Sequence, residues 1–345
     1  MASKLLFLVP LFVVFSTGFS ANTCRIGTVV NRQVNNQTYS FPTHWNESHS
    51  APHLAADQSC SWVITVPQGY YVKLIMSGRI NDSVGHFQTV DGNGNIVMTQ
   101  HEIKEPYYFP SPKFTLIVNN EAPATFAFEV IWAPFPTAIA YDAGIGSHAH
   151  IVNITQDIFA AEFSCEISCS LLAFPADVKH HYTLRSVLIF SGNDFNGKYL
   201  TNLFQVYNTR TQMITPNTVI YIVNLEASGV LDQLLVQSAQ YTQDLDPYKE
   251  LSCDKTGSCS KFLGGGTGKS GLVYVGNQNQ TLTSISMDQT ATLSVYYGSQ
   301  APFFFYQTYN GSSIQSMLPL TFEGGYMTNY IVSSGKSTLT FTFSG

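Results

Sequence analysis

Charge is what this 345-residue chain has least of. Asp, Glu, Lys and Arg together make up 11% of it, against the ~25% usual in soluble domains. The formal net charge is −6, with only 16 basic residues. So few cations cannot build the basic surface that nucleic acid requires, which removes nucleic acid from the expected partners. Long apolar runs are also lacking. Beyond the N-terminus no stretch approaches the ~20 apolar residues of a membrane-spanning helix, and the end of the chain, Leu339-Thr340-Phe341-Thr342-Phe343-Ser344-Gly345, has no hydrophobic tail of the lipid-anchor kind. Catalytic signatures are missing too. There is no nucleophile elbow, no His-Glu-x-x-His helix and no cysteine set beside a base. The chain reads as a non-enzymatic protein with no transmembrane segment, and no cofactor is expected.

What is present suits an oxidising, extracellular setting. Lys4 precedes an apolar run from Leu5 to Phe15, and the small residues Gly18 and Ser20 mark a cut that leaves Ala21 first. Residues 1–20 are therefore predicted to be a signal peptide and the mature protein to be secreted. The cysteine count is six, an even number consistent with disulfides. Sequons for N-glycans stand at Asn36, Asn46, Asn81, Asn153, Asn279 and Asn310.

The apolar residues alternate with a period of two, the signature of half-buried strands. In Cys60-Ser61-Trp62-Val63-Ile64-Thr65-Val66 one face carries Trp62, Ile64 and Val66. Pro67-Gln68-Gly69 then turns the chain, and Tyr70, Val72 and Leu74 resume the alternation. Asp91-Gly92-Asn93-Gly94-Asn95 is a strong turn signal, and Phe126-x-Phe128-x-Val130-x-Trp132 closes the first unit. Ala133-Pro134-Phe135-Pro136 reads as a linker. Beyond it, strands are predicted at 151–154, 163–172, 184–190, 203–207 and 219–223, a short helix at 230–237, and more strands from 272 to 343. The fold class is all-β. A β-sandwich over 22–135 is followed by a β-rich region over 137–345, either undivided or split as 137–243 and 250–345.

The first unit resembles a known family. Cys60-x-Trp62-x-Ile64-x-Val66-Pro67-x-Gly69-Tyr70, together with Phe41-Pro42, Trp45-Asn46-Glu47-Ser48, Asp91-Gly92, Tyr107-Tyr108-Phe109 and the closing Phe126 to Trp132 alternation, is similar to the CUB-like domain of secreted nematode proteins. The resemblance implies a jelly-roll β-sandwich. It also implies a role in innate immune and stress responses, mostly as intestinal secreted proteins. Calcium-binding CUB domains carry a second disulfide and an acidic cluster, where this chain has Gly85-His86-Phe87-Gln88-Thr89-Val90-Asp91, so calcium is not carried over.

Candidate sites follow from residue type and spacing. Cys24 and Cys60 share the first unit and are expected to pair. Cys165 and Cys169 lie in a run that alternates like a strand, where four residues span roughly 13 Å, beyond the ~7 Å reach of a disulfide. They bridge each other only if the chain turns between them. Otherwise they pair with Cys253 and Cys259, which can also close their own loop. Asp91, Asn93, Asn95 and Glu102 imitate the spacing of a calcium loop without its central glycine or its helices, so Asp91 is at most a weak metal candidate. The histidines lack the partners of a zinc site. Leu263-Gly264-Gly265-Gly266-Thr267-Gly268-Lys269-Ser270 precedes a strand pattern, so it is a glycine loop and not a phosphate site. The aromatic runs Tyr107-Tyr108-Phe109 and Phe303-Phe304-Phe305 place consecutive rings on both faces of a strand, so each is expected to turn at least one ring away from the core, either as a binding surface or covered by a second domain or a sheet edge. The expected function is a secreted, non-enzymatic binding protein of innate immune or stress response that recognises a glycan, a microbial surface or a secreted partner. The alternatives are a structural or adhesive component of an extracellular coat, and a degenerate or unfamiliar hydrolase.

Overall fold

The computed structural model describes residues 22–33, 38–137, 140–253 and 257–344. The expected signal peptide and the Asn36 sequon lie outside these residues. The described chain is almost entirely β, arranged as three pairs of facing sheets.

In the first pair, one sheet runs Thr28–Val30, Gln58–Thr65, Lys113–Asn120, His86–Val90, Ile96–Thr99. Its partner runs Tyr39–Phe41, Ala124–Pro134, Tyr70–Arg79, His101–Ile103, with Tyr107–Pro110 also paired to Tyr70–Arg79. The alternation in sequence decides which side chains meet. Register sets Phe114 opposite Ile64 and Leu116 opposite Trp62, and all four are buried with Val72, Leu74, Phe126 and Phe128. The Trp62 ring meets Phe128 edge-on at 4.9 Å, a favoured aromatic geometry.

The second and third pairs repeat this strand order. Each opens with a parallel edge pair: Thr28–Val30 on Gln58–Thr65, then Ala140–Ile145 on Phe159–Cys165, then Leu245–Glu250 on Lys269–Val275. Each sheet then passes through a late strand to a central hairpin. In the second pair these are Val219–Asn224 and the hairpin Val187–Ser191 with Lys198–Asn202. In the third they are Met327–Val332 and the hairpin Thr292–Tyr296 with Phe305–Asn310. The order of the facing sheets is likewise the same. One topology therefore recurs three times in a chain whose sequence shows no clear repeat.

Two local expectations are overturned. Residues 230–237 hold the strand Gln233–Ser238 instead of a helix. Leu234 packs into the second sandwich, while Leu235 packs outward against the third. A strand covered on both faces has apolar neighbours in succession, which imitates helical spacing. Conversely, Leu203–Asn208 is a helix where a strand was predicted, capped by the Asn202 side chain, which accepts from the Gln205 N–H at 2.9 Å. The run 163–172 is two strands, Phe159–Cys165 and Cys169–Phe174. The chain turns between them with Ile167 exposed, and Cys165 bonds Cys169 across a Cα separation of 5.4 Å. Cys24 bonds Cys60, and Cys253 bonds Cys259.

The sandwiches pack on one another through both polar and apolar groups. Between the first and second, Lys73 pairs with Glu226 at 2.7 Å, and Phe135 stacks on Phe195 at 4.5 Å. Arg185 is buried, its guanidinium 3.7 Å above the Tyr107 ring, a desolvated cation–π contact. Between the second and third, Leu172, Phe174, Leu235, Tyr248, Val273 and Ile331 form a shared core. The Tyr248 hydroxyl lies at its centre. It accepts from Gln237 Nε2 at 3.1 Å and donates to Asn329 Oδ1 at 2.6 Å. Tyr248→Phe strands two buried amide groups, so it is expected to cost about 1–3 kcal/mol in chemical denaturation. An unchanged unfolding midpoint would show that the junction does not depend on this hydroxyl.

Candidate functional site

The same central hairpin appears in each sandwich, and its loop has a different fate in each. In the first, 91–95, the Asp91 carboxylate is consumed by the turn. Its Oδ1 accepts from the N–H groups of Asn93 and Asn95 at 2.9 Å, and its Oδ2 from Asn95 Nδ2 at 2.8 Å. Asn93 Nδ2 reaches the Leu200 carbonyl at 2.9 Å. The Asp91 turn is thus a contact with the second sandwich. Among the described residues no group of three or more His, Cys, Asp or Glu side chains could hold a metal. The second loop, 192–197, meets the first sandwich through Phe195 and through Asn196, which accepts from Gln68 Nε2 at 3.1 Å.

The third loop, 297–304, is anchored at its base and free at its tip. The Tyr297 N–H donates to the Phe304 carbonyl at 2.9 Å. Asn329 Nδ2 donates to the Gly298 carbonyl at 2.6 Å, and the Ser299 hydroxyl donates to the Ser147 carbonyl of the second sandwich. The Phe304 ring is half-buried, edge-on to His148 at 5.2 Å. Phe303, held at 84° to it, is 86% exposed. Phe305 and Tyr306 open the edge strand Phe305–Asn310 and are each 49% exposed. Tyr306 leans on Tyr297 at 4.9 Å and Phe305 on Tyr296 at 5.6 Å. Beside the loop is a recess of about 330 Å³, lined by His148, Tyr297, Phe304 and Tyr326. The Tyr326 hydroxyl is fixed by donating to the Ile151 carbonyl at 3.0 Å. Rigid rings around a shallow recess offer flat apolar faces with little conformational entropy to lose on binding.

The other aromatic run behaves differently: of the two readings, cover by a second domain holds there, and Tyr107, Tyr108 and Phe109 are not binding residues. Tyr107 and Phe109 point into the first core, where Phe109 stacks on Phe114 at 3.9 Å. Tyr108 points the other way, as period two requires, but the second sandwich covers it and its hydroxyl donates to Glu226. None of the three is a surface residue. Asn46, Asn81, Asn153, Asn279 and Asn310 are exposed. The glycine loop turns at Gly265–Gly268, where the Gly268 N–H donates to the Gly265 carbonyl at 2.8 Å, and leads into the strand Lys269–Val275.

Sequence reasoning found Phe303, Phe304 and Phe305 but not His148, Tyr297 or Tyr326. Tyr297 stands at the root of the same hairpin and Tyr326 just before the strand Met327–Val332 of the third sandwich, so only His148 joins from the second sandwich, which leaves no local signal.

With the geometry in place, comparison with known proteins supplies a family for part of the chain. Residues 20–136 match the family described as CUB-like domain. The first sandwich is thus similar to CUB-like domains over its whole length. Residues 240–344 match a domain of unknown function, DUF7591. No curated protein matches the chain. Similar solved structures include the CUB1-EGF-CUB2 domains of rat MASP-1, at 9% identity and TM-score 0.24, covering 61% of this chain and 99% of that one. The CUB1-EGF-CUB2 domain of human MASP-1/3 is similar at 10% identity and TM-score 0.23, covering 59% and 100%. The full extracellular region of zebrafish Gpr126/Adgrg6 is similar at 8% identity and TM-score 0.26, covering 94% and 53%. With TM-scores this low, the architecture rests on the sheet topology and on the CUB-like match.

Gly298 is what lets Phe304 lie flat on the loop. Its φ is +124°, and a Cβ there would stand 2.6 Å from the Phe304 ring. Gly298→Ala is expected to lower stability by about 1–3 kcal/mol and to move Phe304 off His148. Both are readable, the first by denaturation and the second as a change in the His148 ring resonances. An unperturbed His148 signal would contradict this account of the loop.

Proposed function

We propose that the protein is a secreted, non-enzymatic binding protein of innate defence, and that the third sandwich engages carbohydrate on a microbial or other extracellular surface through its aromatic hairpin. The exposure of Phe303, at 86%, on a loop tied down at its base carries this reading. A large apolar ring is rarely so exposed on a rigid loop without a partner. Aromatic faces suit the apolar C–H faces of sugar rings, while the exposed Gln307 and Thr308 on the same strand suit sugar hydroxyls. The CUB-like domain and the disulfides support an extracellular binding role, and the exposed sequons support N-glycosylation.

A second reading, adhesion between like molecules in a coat, is favoured by the unpaired outer edge of Phe305–Asn310. An N-glycan at Asn310, on the last residue of this strand, would block such pairing, which favours the first reading.

Cosedimentation with insoluble polysaccharides and whole bacteria, alongside sedimentation velocity of the protein alone, separates the two. Retention on a polysaccharide is expected, with Phe303→Ala weakening it about tenfold, roughly 1.4 kcal/mol. Equal retention of Phe303→Ala would remove the hairpin as the site. Concentration-dependent self-assembly without retention would establish the coat.

A further inference from the structure

A second cavity lies away from the aromatic hairpin, at the junction of the second and third sandwiches. It measures about 550 Å³ and opens into a smaller recess of about 110 Å³. Tyr207, Arg210, Glu250 and Lys261 line both. Arg210 comes from the loop after the helix Leu203–Asn208, in the left-handed region at φ 57°, and its guanidinium lies 4.2 Å above the Tyr207 ring. Glu250 and Lys261 come from the strands Leu245–Glu250 and Ser258–Gly264. Both sandwiches are therefore needed to build the cavity.

Its charges attract across the space but form no direct ion pair with one another. The ion pairs among the described residues are Lys73–Glu226, His180–Asp177 and Lys269–Asp244. Of the groups lining the two spaces, only Asp177 appears in that set, and it is taken by His180. Across the two spaces Arg210, Lys249 and Lys261 outnumber Glu250 and Asp177, a cationic surplus in a chain of net charge −6. Glu250 does not cancel it by direct contact. Its Oε1 accepts from the Ser252 hydroxyl at 3.1 Å, and the Tyr207 hydroxyl also interacts with the carboxylate. Burial pushes the Glu250 carboxyl up, against the pull of Lys261, and burial pushes the Lys261 ammonium down. Each of these groups would gain from a partner that brings an anion and hydroxyls into the space.

We propose that this cleft binds a small carboxylate-bearing polar ligand about the size of one sugar ring, of the uronic acid type. The carboxylate is received by Arg210 and Lys261. A guanidinium whose plane is fixed by stacking presents an ordered edge to a carboxylate, and Lys261 adds a second charge from the opposite sandwich. The Glu250 carboxylate takes a ligand hydroxyl through Oε1, beside Ser252. The recess beside Leu172, Ala173 and Val206 receives the ring's apolar face. The volume fits the range of small-ligand sites. A simple anion satisfies the cations but leaves Glu250 and the recess empty, and a neutral sugar does the reverse.

The test is ligand-observed NMR and calorimetry on the full chain with galacturonate, galactose, acetate and inorganic phosphate. Saturable millimolar binding of galacturonate is expected, with galactose, acetate and phosphate each at least about tenfold weaker. Lys261→Gln and Arg210→Gln should each weaken galacturonate about tenfold or more, with melting temperatures confirming that the variants are folded. Lys269→Gln, outside the cleft, should leave it unchanged, and so should Phe303→Ala, which separates this site from the aromatic hairpin. If Arg210→Gln fails to fold, Lys261→Gln and Glu250→Gln decide. The proposal is overturned by no saturable galacturonate binding, by galactose or phosphate binding as tightly as galacturonate, or by unchanged affinity in the folded cleft variants.

Discussion

A single buried hydroxyl, that of Tyr248, ties the second sandwich to the third and to the hairpin that shows its rings to solvent. It joins Gln237 on one sandwich to Asn329 on the other, and Asn329 passes the connection to the Gly298 carbonyl at the root of the loop. All three side chains are essentially inaccessible to water. Polar groups in such a place hold one geometry, because every alternative leaves a donor or acceptor unpaired. The position of Phe303 is thereby set by a residue in a different part of the chain.

The three-fold recurrence of one topology gives that arrangement its meaning. The central hairpin loop is used for contact between sandwiches in the first two units, through Asn93 and Phe195. In the third, the packing on Ser147 and His148 stops short of the tip. The same structural position is an internal joint twice and an outward surface once. The side chains follow this difference, with hydrogen-bonding Asn and Asp at 91–95 and a run of aromatic rings at 303–306.

Much of the fold could be read from period two. Trp62, Ile64 and Val66, or Phe126, Phe128 and Val130, announce strands because one face is core and the other is not. The pattern fails where both faces are covered. Leu234 and Leu235 belong to different cores, so their strand looked helical. Tyr107, Tyr108 and Phe109 alternate correctly, but whether the outward ring meets water depends on a neighbour 118 residues away in sequence, Glu226. The helix at Leu203–Asn208 had its signal in Asn202, an N-cap residue, which was masked by the β-compatible residues Phe204, Val206 and Tyr207. At the candidate site the rings of 303–305 were legible as composition, whereas His148 and Tyr326 enter through tertiary packing alone. The pairing of Cys165 with Cys169 depended on a turn that the alternating run gave no reason to expect.

The two-sided burial of the middle sandwich also bears on how the chain comes off the ribosome. The first sandwich, once formed, leaves Tyr71, Tyr108 and Phe135 bare until the segment bearing Phe190 and Tyr199 is made. The second in turn leaves Leu172 and Leu235 bare until Tyr248 and Ile331 arrive. Each unit acts as a cover for the one before it, and the strand Met327–Val332, close to the end of the chain, supplies part of the last cover. A polypeptide stopped before that strand keeps a folded front half with a sticky rear, a surface prone to aggregation. Each of the first two sandwiches is thus completed only by the segment that follows it.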